Sequence, residues 1–226
     1  MTALLSASDI HKSFPRHGST VRVLSGCGLD LGAGEAVAIT GSSGAGKSTL
    51  LNILGGLDHP SAGQIAFDGE YLDFGSPRAL TRWRADVVGF IFQFHFLLPD
   101  FTTFENLLIP VRAHRAVTAD DHARARGFLE RMGIAHRSDH LPGELSGGEQ
   151  QRVAVARAFM NRPRIVLADE PFGNLDGRIS NQLSDLLFEL KEREGTSLVI
   201  VTHDPELAGR ADRHYVLEKG NLILGT

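Results

Sequence analysis

Strand-length apolar runs alternate with glycine-rich breaks and helically spaced segments through the first third of the chain. Val21 to Leu31 and Glu35 to Thr40 flank Gly32-Ala33-Gly34 and have the alternating, β-rich content of strands. The second run leads straight into a glycine loop. Behind that loop, Lys47 to Leu57 has helical spacing and stops near Gly55-Gly56, with Pro60 as punctuation. Gly63 to Asp68 and Val87 to Phe92 are further strand candidates, with a helix predicted over Pro77 to Ala85 between them. From Phe94 to Leu145 the pattern changes. Thr103 to His114 and Ala119 to Met132 are spaced as helices, the former interrupted at Pro110, and no strand pattern returns before Ile165. Ile165 to Asp169 and Leu198 to Thr202 then read as strands around a helix from Arg178 to Glu194, and Tyr215 to Glu218 closes the chain as an edge strand. Buried strands alternating with helices predict an α/β fold with a mostly parallel core sheet. We expect a single domain over 1–226, with 1–93 and 161–226 forming the β core and 94–160 a helical subdomain.

Composition narrows the class. With 226 residues, 42% of them hydrophobic, the chain can bury one compact core. A formal charge of −4, from 23 basic and 27 acidic residues, supplies no field that would draw the whole molecule to nucleic acid or anionic lipid. Cys27 is the only cysteine, which excludes an internal disulfide framework and a multi-cysteine zinc site and fits a reducing, cytoplasmic setting. Met1 to Phe14 lacks the basic and apolar regions of a secretory signal. Runs such as Val87 to Phe92 and Leu198 to Val201 fall far short of the roughly 20 residues of a membrane helix.

The candidate chemistry starts at Gly41-Ser42-Ser43-Gly44-Ala45-Gly46-Lys47-Ser48, a full P-loop. Its glycines let the backbone wrap a triphosphate, whose charge is met by successive N–H groups and the positive end of the next helix. Lys47 is placed to reach the β- and γ-phosphates and the Ser48 hydroxyl to coordinate Mg²⁺. The run Ile165-Val166-Leu167-Ala168-Asp169 supplies the strand-end carboxylate that supports the metal, and Glu170 follows as a candidate general base. His203 ends another strand at the same predicted sheet edge, and Gln93 offers a neutral amide to metal or water. Leu145-Ser146-Gly147-Gly148-Glu149-Gln150 reads as a second anion-binding helix start, continued from Gln151 to Met160. A head-to-tail pair of chains can therefore close ATP between the loop of one and the Ser146 helix of the other.

In this combination the chain resembles the ATP-binding subunits of ABC transporters, over nearly its whole length. The glycine loop, Gln93, LSGGEQ, Asp169-Glu170, Asn174-Leu175-Asp176 and His203 stand in that family's order and spacing. The resemblance implies antiparallel β strands near the N-terminus beside the P-loop core. It also implies Glu170 and His203 as catalytic residues, and Ser48, Gln93 and Asp169 around Mg²⁺. The implied ATP contacts extend from the loop to Thr49, with Phe14 stacked on adenine, Asp176 at a dimer interface and Ser146, Gly147 and Gly148 reaching nucleotide on a second copy. The expected assembly is a homodimer on two membrane-spanning permease subunits, peripheral to the cytoplasmic face of the inner membrane, with no nucleic-acid partner.

The segment Gln93 to Asn106 looks like that of lipoprotein-releasing ATPases, with macrolide-exporter and cell-division ATPases as relatives. Phe172 departs from it, standing where that group usually has threonine. A soluble ABC-type ATPase of DNA repair or ribosomes usually carries a coiled-coil insertion or tandem ATPase units, and this sequence has neither. A regulatory binding module without useful hydrolysis sits poorly with intact Asp169, Glu170 and His203.

Overall fold

The computed structural model describes residues 3–16 and 19–225. In chain order they form strands β1 (Leu5–Arg16), β2 (Ser19–Leu31) and β3 (Ala36–Thr40), helix α1 (Lys47–Leu54), strands β4 (Ala62–Phe67) and β5 (Glu70–Tyr71), and helix α2 (Pro77–Arg82). A π-helical turn over Trp83–Val87 leads into β6 (Val88–Phe92). Then follow α3 (Thr103–Arg112), α4 (Ala119–Arg131), α5 (Gly147–Ala158), β7 (Ile165–Asp169), α6 (Gly177–Glu194), β8 (Ser197–Val201), α7 (Pro205–Ala208), β9 (Arg213–Glu218) and β10 (Asn221–Leu224).

The strands form two sheets. One is antiparallel, in the order β2-β1-β4-β5. The other runs β10-β9-β3-β8-β7-β6 and is parallel throughout except for the β10-β9 pair. Alternation along the central strands divides the core. Ile165 and Leu167 of β7 pack on one side with Leu50, Leu51 and Leu54 of α1, while Val166 and Ala168 face α5 and α6 with Val153, Leu183 and Leu187. Burial on both faces explains why these strands read as continuous apolar runs. Among the described residues, no helix is long and apolar enough to cross a membrane.

Several expected elements change. Tyr215–Glu218 is not at the edge, because Lys219 and Gly220, both at positive φ, turn the chain back so that β10 covers β9. Pro110 does not interrupt α3. Its missing N–H falls near the helix end, where one lost bond is outweighed by the buried face of Leu107, Leu108 and Val111. The helix predicted to Ala85 ends as an α-helix at Arg82 and gives way to the π turn. The N-terminal run has no strand pattern in the sequence, yet it forms β1. Its polar positions and the register shifts after Ala7, Ile10 and Lys12 hide the alternation.

Helix α5 lies unusually close to the sheet. A Cβ at Gly89 of β6 would stand 2.3 Å from the Ala158 carbonyl oxygen, so only glycine permits this approach. Gly89→Ala should therefore lower unfolding free energy by about 1–3 kcal/mol through overpacking, seen as a reduced denaturant midpoint with unchanged slope.

Candidate nucleotide site

Strand β3 ends at Thr40 and the chain turns through six residues before α1 begins at Lys47. Glycines at positive φ, Gly41, Gly44 and Gly46, make the turn possible. Gly41 has φ 146° and a Cβ there would meet the Leu217 carbonyl oxygen at 2.4 Å, while Gly46 has φ 105° with Val23 Cγ1 at 2.8 Å from such an atom. No side chain caps α1, which leaves its first N–H groups directed at the loop. The Lys47 ammonium donates to the carbonyl oxygens of Gly41 (2.8 Å) and Ser42 (3.1 Å), which holds the cation over the loop it belongs to.

A cleft of about 530 Å³ opens above this loop. From the P-loop it is lined by Gly41, Ser43, Gly44, Gly46, Lys47, Ser48 and Thr49, and from the neighbouring strand ends by Gln93, Asp169, Glu170 and His203. Ser42 and Ala45 complete the loop without lining the cleft. Val23 of β2 is a wall that sequence reasoning missed, since a lone valine in a strand carries no chemical signal.

Asp169 faces the loop across this space. Burial pushes its carboxyl above the usual carboxylate range, a push that Glu170 adds to and that the Ser48 hydroxyl bond and Lys47 oppose. Its Oδ1 is buried without a hydrogen-bond partner. An orphaned carboxylate oxygen beside a serine hydroxyl is a donor set suited to a hard cation such as Mg²⁺. Among the described residues no three His, Cys, Asp or Glu form a self-contained metal cluster, so the remaining ligands would be phosphate and water oxygens.

Glu170 is held in an uncommon backbone conformation, with φ 44°, and its N–H donates to Val201 at 2.8 Å. The His203 backbone N–H donates to Glu170 Oε2 at 3.2 Å, and His203 Nδ1 lies 2.8 Å from the same oxygen. The carboxylate is mostly enclosed and the imidazole mostly exposed. Gln93 Nε2 donates to Asn174 Oδ1 at 3.1 Å, which ties the end of β6 to the loop after β7.

Two predicted groups lie elsewhere. Phe14 does not line the cleft. It is 40% exposed on β1 and pairs with Val21 on the hairpin whose Val23 does line it, and Lys12 Nζ sits 4.9 Å from its ring centre. Ser146, Gly147 and Gly148 are also outside the cleft. Ser146 caps α5 in a reciprocal box: Glu149 N–H donates to Ser146 Oγ, and Glu149 Oε2 accepts from the Ser146 N–H and hydroxyl, both at 2.8 Å. Asp176 caps α6 by accepting the Ile179 N–H at 3.0 Å. Ile179 packs against Gly148, where a Cβ would be 3.1 Å from its Cγ2, so Asp176 and the Ser146 helix start share one surface.

The Ser146 backbone N–H, helped by its hydroxyl and by Arg137, holds the Glu149 carboxyl at about 2, against the desolvation that opposes them. A depressed folded value means the stabilisation is complete above the ordinary 4.5 and drains away as pH falls toward 2. Glu149→Gln should accordingly cost about 1 kcal/mol at pH 7, with the cost shrinking below about pH 4.5 and nearly gone only at about pH 2, as read by denaturant melts across that range.

Comparison with known proteins agrees with this geometry. Residues 24–173 match the ABC transporter family model. A lipoprotein-releasing system ATP-binding protein LolD of Pseudomonas fluorescens is 47% identical over 98% of this chain and 97% of its own, and the LolD protein of Pseudomonas syringae pv. tomato is 48% identical over the same shares. Among solved structures, the dimeric cassette MJ0796 in a post-hydrolysis state bound to ADP and Pi superposes with TM-score 0.89 at 35% identity, covering 96% of each chain. A second dimeric structure of that bacterial ABC transporter cassette has the same TM-score at 36% identity and the same coverage. A P-loop, a strand-end carboxylate pair and a capped LSGGEQ helix on this fold place the chain in the ABC transporter family, as an ATP-binding cassette.

Proposed function

We propose that two copies of this chain close head to tail around two Mg·ATP and hydrolyse it, driving two separate permease subunits in lipoprotein release from the inner membrane. The observation that carries this reading is the division of the phosphate-binding groups. The P-loop, Ser48, Asp169 and the Glu170–His203 pair surround one cleft, whereas the Ser146 helix start lies outside it, available to a second copy. Each chain then supplies the P-loop half of one site in cis and the Ser146 half of another in trans, with Asp176 beside the latter.

Within the closed site Lys47 and the loop N–H groups from Gly41 to Thr49 hold the phosphates, and Phe14 with Val21 and Val23 forms the apolar platform for adenine. Ser48, Asp169 and Gln93 would hold Mg²⁺, which neutralises charge on the β- and γ-phosphate oxygens when bound. Glu170 accepts the proton of the attacking water, and His203, held on Glu170 Oε2, orients that carboxylate toward the γ-phosphate. Ser146, Gly147 and Gly148 of the facing copy complete the enclosure.

The helical lobe, residues 94–160, presents Phe94 and Phe96, each 63% exposed, as the face for the permeases. Localisation follows from that contact: the chain sits on the cytoplasmic face of the inner membrane through its partners. The LolD relatives at 47% and 48% identity support lipoprotein as cargo. Phe172 does not weigh against it, because its side chain is 4% exposed and packs in the core rather than on a docking face.

Glu170→Gln should retain ATP binding, accumulate as an ATP-bound dimer in size-exclusion chromatography, and lose at least about 100-fold in kcat. Hydrolysis near the parent rate would remove Glu170 from its role. Cargo is tested by reconstituting the chain with its permeases in liposomes carrying an acylated lipoprotein. ATP-dependent release into the aqueous phase is expected, and ATPase stimulation by macrolides with no release would shift the assignment to a drug exporter.

A further inference from the structure

We propose that Gln151, on the signature helix α5, is a positioning residue that couples the state of that helix to Gln93 and the catalytic Glu170 of the cis site. The proposal rests on the ATPase reading above, and Gln151 belongs to none of the groups to which that reading gives a role. Gln151 is 1% exposed, an unusual place for an amide. Its Nε2 donates to the Pro171 carbonyl oxygen at 2.5 Å and makes a longer contact, 3.4 Å, with the Phe92 carbonyl oxygen. Those carbonyls belong to the residue directly after Glu170 and the residue directly before Gln93. One side chain thus ties the ends of β7 and β6 to a helix whose first turn is Gly147, Gly148 and Glu149.

The orientation of the amide is determined by this arrangement. Both carbonyls need a donor, so a flipped amide would set oxygen against oxygen, and the Nε2 orientation leaves Oε1 buried without a partner. A buried acceptor left unsatisfied is a poor choice for mere filling of space, which a methionine would do without it. Further contacts bind the same segment to α5. Arg157 donates through Nη1 to the Phe96 carbonyl oxygen and through Nη2 to that of His95, each at 2.7 Å, and the His95 ring hydrogen-bonds the Gly147 backbone. Residues 92–96 are therefore fastened to α5 from its first turn to its last. A shift of α5 when its Ser146 end meets nucleotide on the partner copy then moves the backbone beside Glu170 and Gln93 directly.

The test uses the full chain with its permeases and two variants. Gln151→Met keeps length and volume but removes both donor contacts, and Gln151→Glu replaces the donor with an acceptor facing two carbonyls. Positioning predicts kcat falling at least about 10-fold in Gln151→Met and further in Gln151→Glu, with ATP affinity within about threefold of the parent. Simple packing predicts a methionine variant within about twofold of parental kcat, and that result overturns the proposal. Hydrogen exchange on the isolated chain reads the same point without turnover. In Gln151→Met the amides of residues 93–96 and 170–174 should exchange about 10-fold faster while those of 165–169 hold, and unchanged exchange in the first two segments overturns it as well. A parent that does not hydrolyse ATP would sink the ATPase reading, and the exchange result still decides Gln151.

Discussion

The register of four parallel strands governs everything at this site. Ile39 of β3 pairs with Val201 of β8, Val201 with Asp169 of β7, and Asp169 with Phe92 of β6, so three strands end on one row and β3 ends one residue past it. The residues that follow that row are Thr40 and the P-loop, Thr202 and His203, Glu170, and Gln93. Groups far apart in sequence arrive together because their strands end together, at the carboxyl edge where open α/β sheets bind ligands. A slip of one residue in β7 would exchange the faces of Leu167 and Ala168 and carry Asp169 out of reach of Ser48. Packing on both faces of the strand forbids it.

That apolar register is what makes the unfavourable features of the site sustainable. Asp169 keeps a buried oxygen unpartnered, Glu170 takes a positive φ, and Lys47 spends its charge on two carbonyls of its own loop. None of these would persist on a loop with freedom to relax. Asp169 lies on the strand row, Glu170 directly after it with its N–H bonded to Val201, and Lys47 reaches back to Gly41, two residues past Ile39. The resulting cleft holds a cation, an enclosed carboxylate pair and open helix N–H groups at positions fixed by the sheet, which is the preorganisation phosphoryl transfer depends on.

Legibility in the sequence followed how local the chemistry is. The P-loop is a contiguous stretch whose glycines, lysine and serine state their own geometry, and Asp169, Glu170 and His203 were readable because each ends an apolar run. The parallel sheet was readable for the same reason. What was not readable depends on distant contacts. β1 conceals its alternation behind bulges, β10 exists only because β9 offers an edge, and α3 continues through Pro110 because its apolar face is buried. Val23 and Gln151 have no signature at all: one becomes a wall only where β2 passes the loop, the other a tether only where α5 crosses two strand ends.

Under the proposed head-to-tail pairing, the start of α5 would act on nucleotide held by a second copy. Ser146 spends its hydroxyl on Glu149, so the groups left for an anion there are the N–H donors of the first helical turn and the helix dipole behind them. Glu149 would repel a phosphate approaching these donors, but Arg137 Nε lies 2.9 Å from its carboxylate and offsets that charge. With the charge of Glu149 offset in this way, an anion at this end would be held chiefly by the direction of the N–H groups. Such an end is a weak anion site by itself and an effective one when a bound triphosphate is presented to it at fixed distance by another P-loop. The proposed head-to-tail dimer would supply that presentation, because the cleft of each chain lacks a Ser146 helix start of its own.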